Sequence, residues 1–126
     1  MILLITGSRT FCEATPDKPR DVYMAERVAL GFALDFIQPT RIIHGGANGA
    51  DRWAGIWADK RGISCHVEPA TGPWPAAGPL RNQRMVDMKP DMGCAFPGDR
   101  GTADCTRRME RAGIPIHRVE ITEPAS

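Results

Sequence analysis

The most informative stretch of the sequence is RIIHGGANGA at residues 41–50. Residues 41–44 form a short run centred on two isoleucines, residues 45–49 form a glycine-rich turn, and a helical pattern over residues 50–61 ends before Gly62. A short apolar run bounded by a turn is typical of a strand buried on both faces of a parallel sheet, and glycine commonly follows the end of a helix. The stretch therefore predicts a strand, a turn and a helix in succession.

The same succession recurs along the chain, beginning with the apolar run ILLI at residues 2–5. The predicted strands lie at residues 2–5, 41–44, 63–67, 91–96 and 114–119, and the predicted helices at residues 21–37, 50–61, 79–88 and 102–112, with Thr102 as the N-cap of the last helix. Strands that alternate with helices form parallel sheets through right-handed crossovers, and such sheets bind ligands at the carboxyl ends of their strands. We therefore predict an α/β fold, a Rossmann-like three-layer sandwich with about five parallel strands and helices on both faces.

Length and composition predict one globular domain. The chain has 126 residues and a mass of 13.8 kDa, with 42% hydrophobic and 25% charged residues, which is near the average of folded domains. We expect a single domain over residues 1–120 and a frayed tail over residues 121–126. No stretch reaches the roughly 18 apolar residues that a membrane span needs, and residues 2–5 lack a basic flank or a cleavage-like site. We therefore expect a cytoplasmic protein with no membrane partner.

Charge, cysteine usage and missing motifs exclude several classes of function. Sixteen Lys and Arg against fifteen Asp and Glu give a formal net charge of +1, which disfavours general nucleic-acid binding. The four cysteines contain no CxxC pair, and the adjacent Cys65 and His66 of a strand point to opposite faces. We therefore expect reduced thiols, no metal site and no cofactor. The absence of a P-loop and of a GxGxxG fingerprint argues against ATP hydrolysis and ordinary NAD binding.

Three turns, at residues 6–9, 44–51 and 97–102, are predicted to leave the same edge of the sheet. Glycine lets backbone N–H groups approach a ligand closely, and the two later turns lead into helix N-termini, where unpaired N–H groups and the helix dipole favour a phosphate. The predicted ligand-binding residues of this crevice are Gly7, Ser8, Arg9, His44, Gly45, Gly46, Asn48, Gly49, Asp51, Pro97, Gly98, Gly101 and Thr102. Tight strand-to-helix connections also use glycine for steric reasons alone, so a structural role for each turn stays open.

The third predicted helix carries two arginines, Arg81 and Arg84, on nearly one face close to its start. A cation near a helix N-terminus opposes the helix dipole, a placement that makes sense if either guanidinium meets a bound anion. We assign Arg81 and the adjacent Asn82 to the same ligand site. A solvated surface pair of arginines is the alternative interpretation.

Four sequence blocks in this order carry a resemblance to a known family: TGSR at residues 6–9, HGGAxGAD at 44–51, AGPxRNxxM at 77–85 and FPGxxGTAD at 96–104. The chain is similar to YspA-type (cpYpsA-related) members of the SLOG superfamily, which also contains DNA-processing protein A and the lonely-guy phosphoribohydrolases. The resemblance covers about residues 2–119. It implies a Rossmann-like domain that binds a nucleotide or a nucleotide-derived phosphorylated small molecule.

The resemblance leaves catalysis open. In the phosphoribohydrolases, a PGGxGTxxE loop supplies a glutamate that helps to cleave the bond between a base and ribose 5′-phosphate. Cys105 stands at that position here, and a thiol replaces a carboxylate poorly beside a developing positive charge. The alternative function is a nucleoside-monophosphate hydrolase of this type, with Arg81, Arg84 and Asp104 as candidate catalytic residues, or Asp51 as the carboxylate. Single-stranded DNA binding, as in the DNA-processing relatives, is a lesser alternative.

Three further features concern partners and access to the crevice. The first predicted helix carries apolar residues around more than half of its circumference, more than one sheet face can cover, so we expect a homo-oligomer, a dimer or larger. Trp74, in the loop before the third helix, is interpreted either as a stacking platform for a base or as an anchor packed on the domain. Residues 12–20 form a polar insertion, interpreted as a lid over the crevice or as a disordered surface loop.

Overall fold

Strands and helices alternate throughout the computed structural model, which describes residues 1–121. The strands are β1 (Ile2–Thr6), β2 (Arg41–His44), β3 (Ser64–Val67), β4 (Met92–Ala95) and β5 (Ile116–Arg118), and the helices are α1 (Arg20–Ile37), α2 (Ala50–Lys60), α3 (Ala77–Asp87) and α4 (Arg100–Arg111). The strands pair in parallel and lie in the order β3-β2-β1-β4-β5. The predicted Rossmann-like α/β fold with a five-stranded parallel sheet is confirmed.

Helices cover both faces of this sheet, and β1 shows why. Leu3 and Ile5 pack with apolar side chains of α1 and α2, whereas Leu4 packs with those of α3 and α4 on the opposite face. None of the three is more than 1% exposed. Because both faces of β1 are buried, its sequence is continuously apolar rather than alternating. The sheet order reverses direction beside β1, and this is the position at which open parallel sheets bind ligands.

Two helix starts differ from the prediction. The N-cap of α4 is Asp99, whose Oδ1 accepts a hydrogen bond from Gly101 N over 3.2 Å, so Thr102 lies inside the first turn of the helix. Aspartate and threonine are both favoured N-caps, and the earlier of the two is used here. α3 begins at Ala77, two residues before the predicted start at Pro79. The predicted end of α2 is confirmed, since Gly62 follows the C-cap with a φ of 67°.

The polar insertion at residues 12–20 is tied to α1. Lys18 Nζ lies 2.6 Å from the Glu26 carboxylate, which also accepts a hydrogen bond from Cys12 N over 3.1 Å. Arg27 Nε donates to the Cys12 carbonyl oxygen over 2.9 Å. The interpretation as a disordered surface loop is therefore wrong, because a partly buried ion pair and two backbone contacts fix the segment.

The last described residue, Ile121, packs against the core cluster of α1 and α2 instead of fraying. The rest of the predicted tail, residues 122–126, lies outside the described residues. That residues 1–120 form a single domain stays a prediction. Within residues 1–121 no helix combines the length and the apolar character that a membrane crossing requires.

Candidate functional site

A cavity of about 610 Å³ lies at the carboxyl ends of the strands. The residues after β1, the start of α2 and the first turns of α3 and α4 form its wall. Small-molecule sites typically have volumes of roughly 300–1,000 Å³. The cavity therefore has the size of a small-molecule site and lies where the sheet topology favours one.

Backbone hydrogen bonds join the three predicted turns behind this cavity. Ser8 N donates to the Pro97 carbonyl oxygen over 3.0 Å, and Ala50 N donates to the Ser8 carbonyl oxygen over 3.2 Å. Gly49 permits the second contact, because its φ is 81° and a Cβ there would overlap the Ser8 carbonyl oxygen. The turns after β1, β2 and β4 thus meet at one edge of the sheet, as the sequence predicts.

The N–H groups of the turn after β2 are used within the protein. Gly45 N and Ala47 N donate to Asp51 Oδ2 over 3.0 and 3.4 Å. Gly46 N donates to His44 Nδ1 over 3.0 Å. Burial, assisted by nearby positive groups, lowers the pKa of His44, which suits a neutral ring whose Nδ1 accepts a hydrogen bond.

A carboxylate of the protein itself occupies the N-terminus of α2. Glu13 Oε1 accepts hydrogen bonds from Gly49 N over 3.3 Å and from the Trp53 indole N–H over 2.7 Å. A negative charge at this position complements the helix dipole. The expectation that the glycines of this turn form an open anion cradle is therefore wrong. Their N–H groups already donate to side chains of the protein, namely Asp51, His44 and Glu13.

Arg81 crosses from α3 to the turn after β2. Its Nη1 donates to the Gly45 carbonyl oxygen over 2.9 Å and its Nε donates to Asn82 Oδ1 over 3.1 Å. A Cβ at Gly45 would overlap the guanidinium, so glycine permits this approach. Asn82 Nδ2 donates in turn to the Gly101 carbonyl oxygen and to Asp104 Oδ2 over 3.2 and 3.0 Å. This chain of bonds joins α3, α4 and the turn, and it fixes one guanidinium in the cavity wall.

Asp51 is the buried acid of the cavity wall. Its side chain is 7% exposed, and its carboxylate is held by the backbone N–H groups of the turn after β2. Burial raises the pKa of Asp51 to about 6, against the opposing effects of the hydrogen bonds from Ala47 and Gly45 and of the Arg81 charge. The carboxyl group is therefore mainly ionised at pH 7 and becomes protonated in mildly acidic solution.

Asp104 and Cys105 do not have the properties that acid–base catalysis needs. Burial alone would raise the pKa of Asp104, but hydrogen bonds from Arg108 and Asn82 outweigh it and lower that pKa. Cys105 is fully buried in the core, and burial raises the pKa of its thiol to about 11. Asp104 therefore stays ionised and Cys105 stays neutral near pH 7.

Three guanidiniums line the cavity, those of Arg9, Arg81 and Arg100. Among residues 1–121 none of the three takes part in a salt bridge, whereas the lining carboxylate of Asp104 is paired with Arg108 at 2.8 Å. The lining carboxylate of Asp99 caps α4. The cavity wall therefore presents cationic side chains that have no carboxylate of residues 1–121 within 4 Å.

Thr102, in the first turn of α4, lines the same cavity and is 8% exposed. Its Oγ1 is buried and has no hydrogen-bond partner among the described residues. Leaving a buried hydroxyl group without a partner costs about 1–3 kcal/mol. The Thr102 hydroxyl group lies against Gly98 at the rear of the cavity wall, so a ligand atom can bond to it only after a local movement of this turn.

Comparison with known proteins shows similarity to a phage protein along most of the chain. The Gene 61 protein of Mycobacterium phage D29 is 34% identical to the chain over 123 residues, which cover 90% of this chain and 92% of that protein. The chain belongs to the family of this Gene 61 protein. No family model matches the sequence. The structure of DNA processing protein A from Streptococcus pneumoniae aligns with 91% of the chain at 16% identity and a TM-score of 0.43, and the chain spans 57% of that structure.

In this member of the Gene 61 protein family, the site residues predicted from the sequence separate into two groups. Those that line the cavity are Gly7, Arg9, Asp51, Arg81, Asn82, Gly101, Thr102 and Asp104. Those that lie outside its wall are Ser8, His44, Gly45, Gly46, Asn48, Gly49, Arg84, Pro97 and Gly98. The second group mainly shapes the turns that carry the first.

Arg84 is the clearest correction. It lies about one turn further along α3 than Arg81, and it reaches the loop after β3 instead of the cavity. Its Nε donates to Glu68 Oε1 and its Nη2 donates to the Pro69 carbonyl oxygen, both over 2.9 Å. The predicted catalytic role of Arg84 is therefore wrong for this cavity.

The sequence prediction misses Arg100 in the wall and leaves the role of Trp74 undecided. Arg100 lies between Gly98 and Gly101 of a predicted turn, and this position in the sequence indicates that it is close to the ligand site. The sequence hides its importance because Thr102 is also a favoured N-cap, and a helix that begins at Thr102 leaves Arg100 in the preceding loop. The structure places Arg100 at the first position of α4 and Trp74 in the cavity wall.

Proposed function

We propose that the chain binds a nucleotide or a nucleotide-derived phosphorylated small molecule in the cavity at the carboxyl ends of the strands. The observation that carries the proposal is the set of lining guanidiniums of Arg9, Arg81 and Arg100, which form no salt bridge within residues 1–121. A guanidinium holds a phosphate through two parallel hydrogen bonds. The sequence resemblance to YspA-type members of the SLOG superfamily supports the same class of ligand.

The phosphate is expected beside the first turn of α4. Arg100 begins this helix, the Thr102 hydroxyl group has no partner in the described part of the chain, and the positive end of the helix dipole lies here. Asp99 Oδ1 already accepts from Gly101 N, so one N–H group of the turn is not available to the ligand. The guanidiniums therefore supply most of the attraction for the anion in this proposal.

The sugar of the ligand is expected beside Asp51. Only Oδ2 of this carboxylate accepts hydrogen bonds from the turn after β2. The carboxylate lines the cavity and is mainly ionised at pH 7. Ribose hydroxyl groups are donors that a carboxylate oxygen binds well, as in other Rossmann-like sites.

Calorimetric titration of the purified protein with AMP at low salt tests the proposal. Arg100→Gln is expected to weaken AMP binding about 10- to 100-fold, because hydrogen bonds to charged groups contribute roughly 1.5–3 kcal/mol. Arg111→Gln is the matched control, since it removes the same charge from the other end of α4, outside the cavity wall. Equal losses in both variants would indicate attraction by overall charge and contradict a built site.

A nucleoside-monophosphate hydrolase is a second candidate function, and Asp51 is the observation that favours it. A carboxyl group whose pKa is raised inside a ligand cavity is typical of acid–base catalysis. Asp51 is the candidate for proton transfer in this hypothesis, whereas Asp104 stays ionised and paired with Arg108, and Arg81 would stabilise negative charge on the phosphate. Incubation with a panel of nucleoside 5′-monophosphates tests it. Release of free base that disappears in Asp51→Asn supports hydrolysis, and tight binding without release leaves binding as the function.

We also propose that the chain forms a homo-oligomer through α1. Val28, Phe32 and Phe36 are 69%, 75% and 75% exposed, and their spacing of four residues places them along one stripe of the helix. The stripe borders an apolar groove of about 670 Å³ between α1 and β5. Exposed apolar surfaces of this kind are typical of interfaces, and a two-fold dimer uses the same stripe on both chains. The proposed occupant is therefore a second copy of the chain.

A further inference from the structure

We propose that Trp74 and Arg9 bind the aromatic base of the ligand by holding it between the indole ring and the guanidinium group. This inference rests on the proposed nucleotide-binding function. It gives a position to the base, whereas the contacts proposed above concern only the phosphate and the sugar. Both side chains line the cavity, and they come from different elements. Arg9 follows β1, and Trp74 lies in the loop between β3 and α3.

Trp74 has the position of a stacking platform. The ring is 63% exposed although it forms part of the cavity wall. Part of the ring is backed by the start of α3, because a Cβ built at Gly78 would lie 3.2 Å from Trp74 Cζ3. The indole is thus supported by backbone, while most of its surface remains open. A large aromatic face supported in this way suits a planar ligand group.

The other two tryptophans, Trp53 and Trp57, have structural roles and can be compared with Trp74. In Trp53 and Trp57 the indole N–H donates to a carboxylate, over 2.7 and 2.9 Å. A guanidinium lies 4.1 and 4.4 Å from the two ring centroids, respectively, and both side chains pack against the core. Trp74 differs in its exposure and in the distance of its nearest guanidinium.

The Arg9 guanidinium lies over the Trp74 ring without close contact. Its guanidinium carbon lies 5.8 Å from the Trp74 ring centroid, and Arg9 forms no salt bridge within the described residues. Two van der Waals contacts of about 3.5 Å require roughly 7 Å between the outer planes of a three-layer stack. The present distance is shorter than this spacing, so the flexible Arg9 side chain moves outward to admit a base between the two groups.

The chemistry of this clamp points to a particular class of ligand. Stacking recognises the face of a base and is tolerant of its edge, and it strengthens with the area of the ring system. We therefore infer a purine nucleotide as the favoured ligand, with weaker binding of the pyrimidine analogue. A phosphorylated sugar that lacks a base keeps the phosphate and sugar contacts and loses the stack.

The test compares AMP, UMP and ribose 5-phosphate by calorimetric titration against four proteins: wild type, Trp74→Ala, Trp74→Phe and Leu80→Ala. Leu80 is the matched control, because it is 56% exposed on α3 but does not line the cavity. Trp74→Ala is expected to weaken AMP binding about 5- to 150-fold, the range for loss of one stacked base, and to leave ribose 5-phosphate binding unchanged. Trp74→Phe is expected to restore part of the loss, and it also serves if the alanine variant does not fold.

Three outcomes would overturn the clamp. These are wild-type affinity for ribose 5-phosphate equal to that for AMP, equal losses for AMP and ribose 5-phosphate in Trp74→Ala, and tighter binding of UMP than of AMP. In each of them the wild-type protein still binds a phosphorylated ligand. Failure of the wild-type protein to bind either AMP or ribose 5-phosphate overturns the proposed function itself, so the two failures are distinguishable.

Discussion

Arg81 Nη1 donates a hydrogen bond to the carbonyl oxygen of Gly45 over 2.9 Å, and this contact joins α3 to the turn after β2. The acceptor is a neutral carbonyl group, so this contact positions the guanidinium and does not neutralise its positive charge. A positioned cation beside a cavity is what an anionic ligand requires. The glycine therefore contributes to the site through the arginine it admits, and its own N–H group is bound to Asp51.

Gly45→Ala is expected to weaken AMP binding about tenfold while changing stability little. The new Cβ would overlap the end of the Arg81 side chain, which can move away, and the φ of Gly45 is not in the left-handed region. The loss corresponds to about 1.4 kcal/mol, near that of one hydrogen bond. Calorimetric titration and thermal denaturation measure the two effects.

The control for this variant is Gly31→Ala in α1. No atom lies near a Cβ at Gly31, so alanine there is expected to stabilise the helix by about 0.5–1 kcal/mol and to leave AMP binding unchanged. A Gly45→Ala protein that binds AMP as tightly as wild type would show that the position of Arg81 does not matter to the ligand.

The fold was predictable because its signals are local. The burial of β1 on both faces follows from three adjacent apolar residues, Leu3, Leu4 and Ile5, which pack on both sides of the sheet. The start of α4 was not predictable in the same way, because Asp99 and Thr102 are both good N-caps and only the geometry of the turn decides between them.

The site was predictable only in part, because some of the hydrogen bonds that shape it join residues far apart in the sequence. The glycine-rich turns do meet at one edge of the sheet, but the acceptor that occupies Gly49 N is Glu13, 36 residues earlier in the chain. No periodicity or motif reports such a pairing. Arg81 and Arg84 share a sequence environment, yet one contacts the turn after β2 and the other contacts Glu68. One helical turn of distance separates the two roles.

Asp51→Asn is expected to stabilise the folded chain at pH 7.5 but not at pH 4. The pKa of Asp51 rises from 3.8 to about 6 on folding, so the folded state binds the proton more tightly and this group's contribution to stability falls as pH rises from about 4 to 6. Above pH 6 the buried charge costs on the order of 3 kcal/mol relative to a neutral group. Asparagine keeps an acceptor for Gly45 N and Ala47 N and removes that cost.

Urea denaturation of wild type and Asp51→Asn at pH 4, 5, 6 and 7.5 measures this difference. The lowered pKa values of Glu68 and Asp104 make stability fall at still lower pH, but both proteins carry these groups and the comparison cancels them. A stability difference that is the same at all four pH values would contradict the assignment of the raised pKa to Asp51.

Phe32→Glu is expected to dissociate the proposed homo-oligomer. The substitution places a charge in the centre of the exposed stripe of α1, where burial against a second chain would leave it without a partner. Light scattering after size-exclusion chromatography should give a multiple of 13.8 kDa for wild type and 13.8 kDa for the variant. Leu80→Glu, on the exposed surface of α3, is the control and should keep the wild-type mass. A wild-type mass of 13.8 kDa at high protein concentration would refute the interface.

Thr102→Val is expected to raise stability and to weaken AMP binding. The Thr102 hydroxyl group is buried and has no partner within residues 1–121, so a methyl group of similar shape should increase the free energy of unfolding by about 1 kcal/mol. The same change removes a hydrogen-bonding group from the cavity, and the expected loss of AMP affinity is about five- to tenfold. Urea denaturation and calorimetric titration follow the two properties independently.

Thr106→Val supplies the matched comparison one turn along α4. Thr106 is equally buried, but its Oγ1 donates to the Ala103 carbonyl oxygen over 2.9 Å, and it does not line the 610 Å³ cavity. Valine there loses a hydrogen bond that is already made, so stability should fall by about 1 kcal/mol while AMP affinity stays unchanged. We therefore expect the free energy of unfolding to rise in Thr102→Val and to fall in Thr106→Val. The Thr106 hydroxyl group contributes a hydrogen bond to the fold, whereas that of Thr102 contributes none within residues 1–121. Destabilisation of both variants by the same amount would remove the evidence that Thr102 is reserved for a ligand.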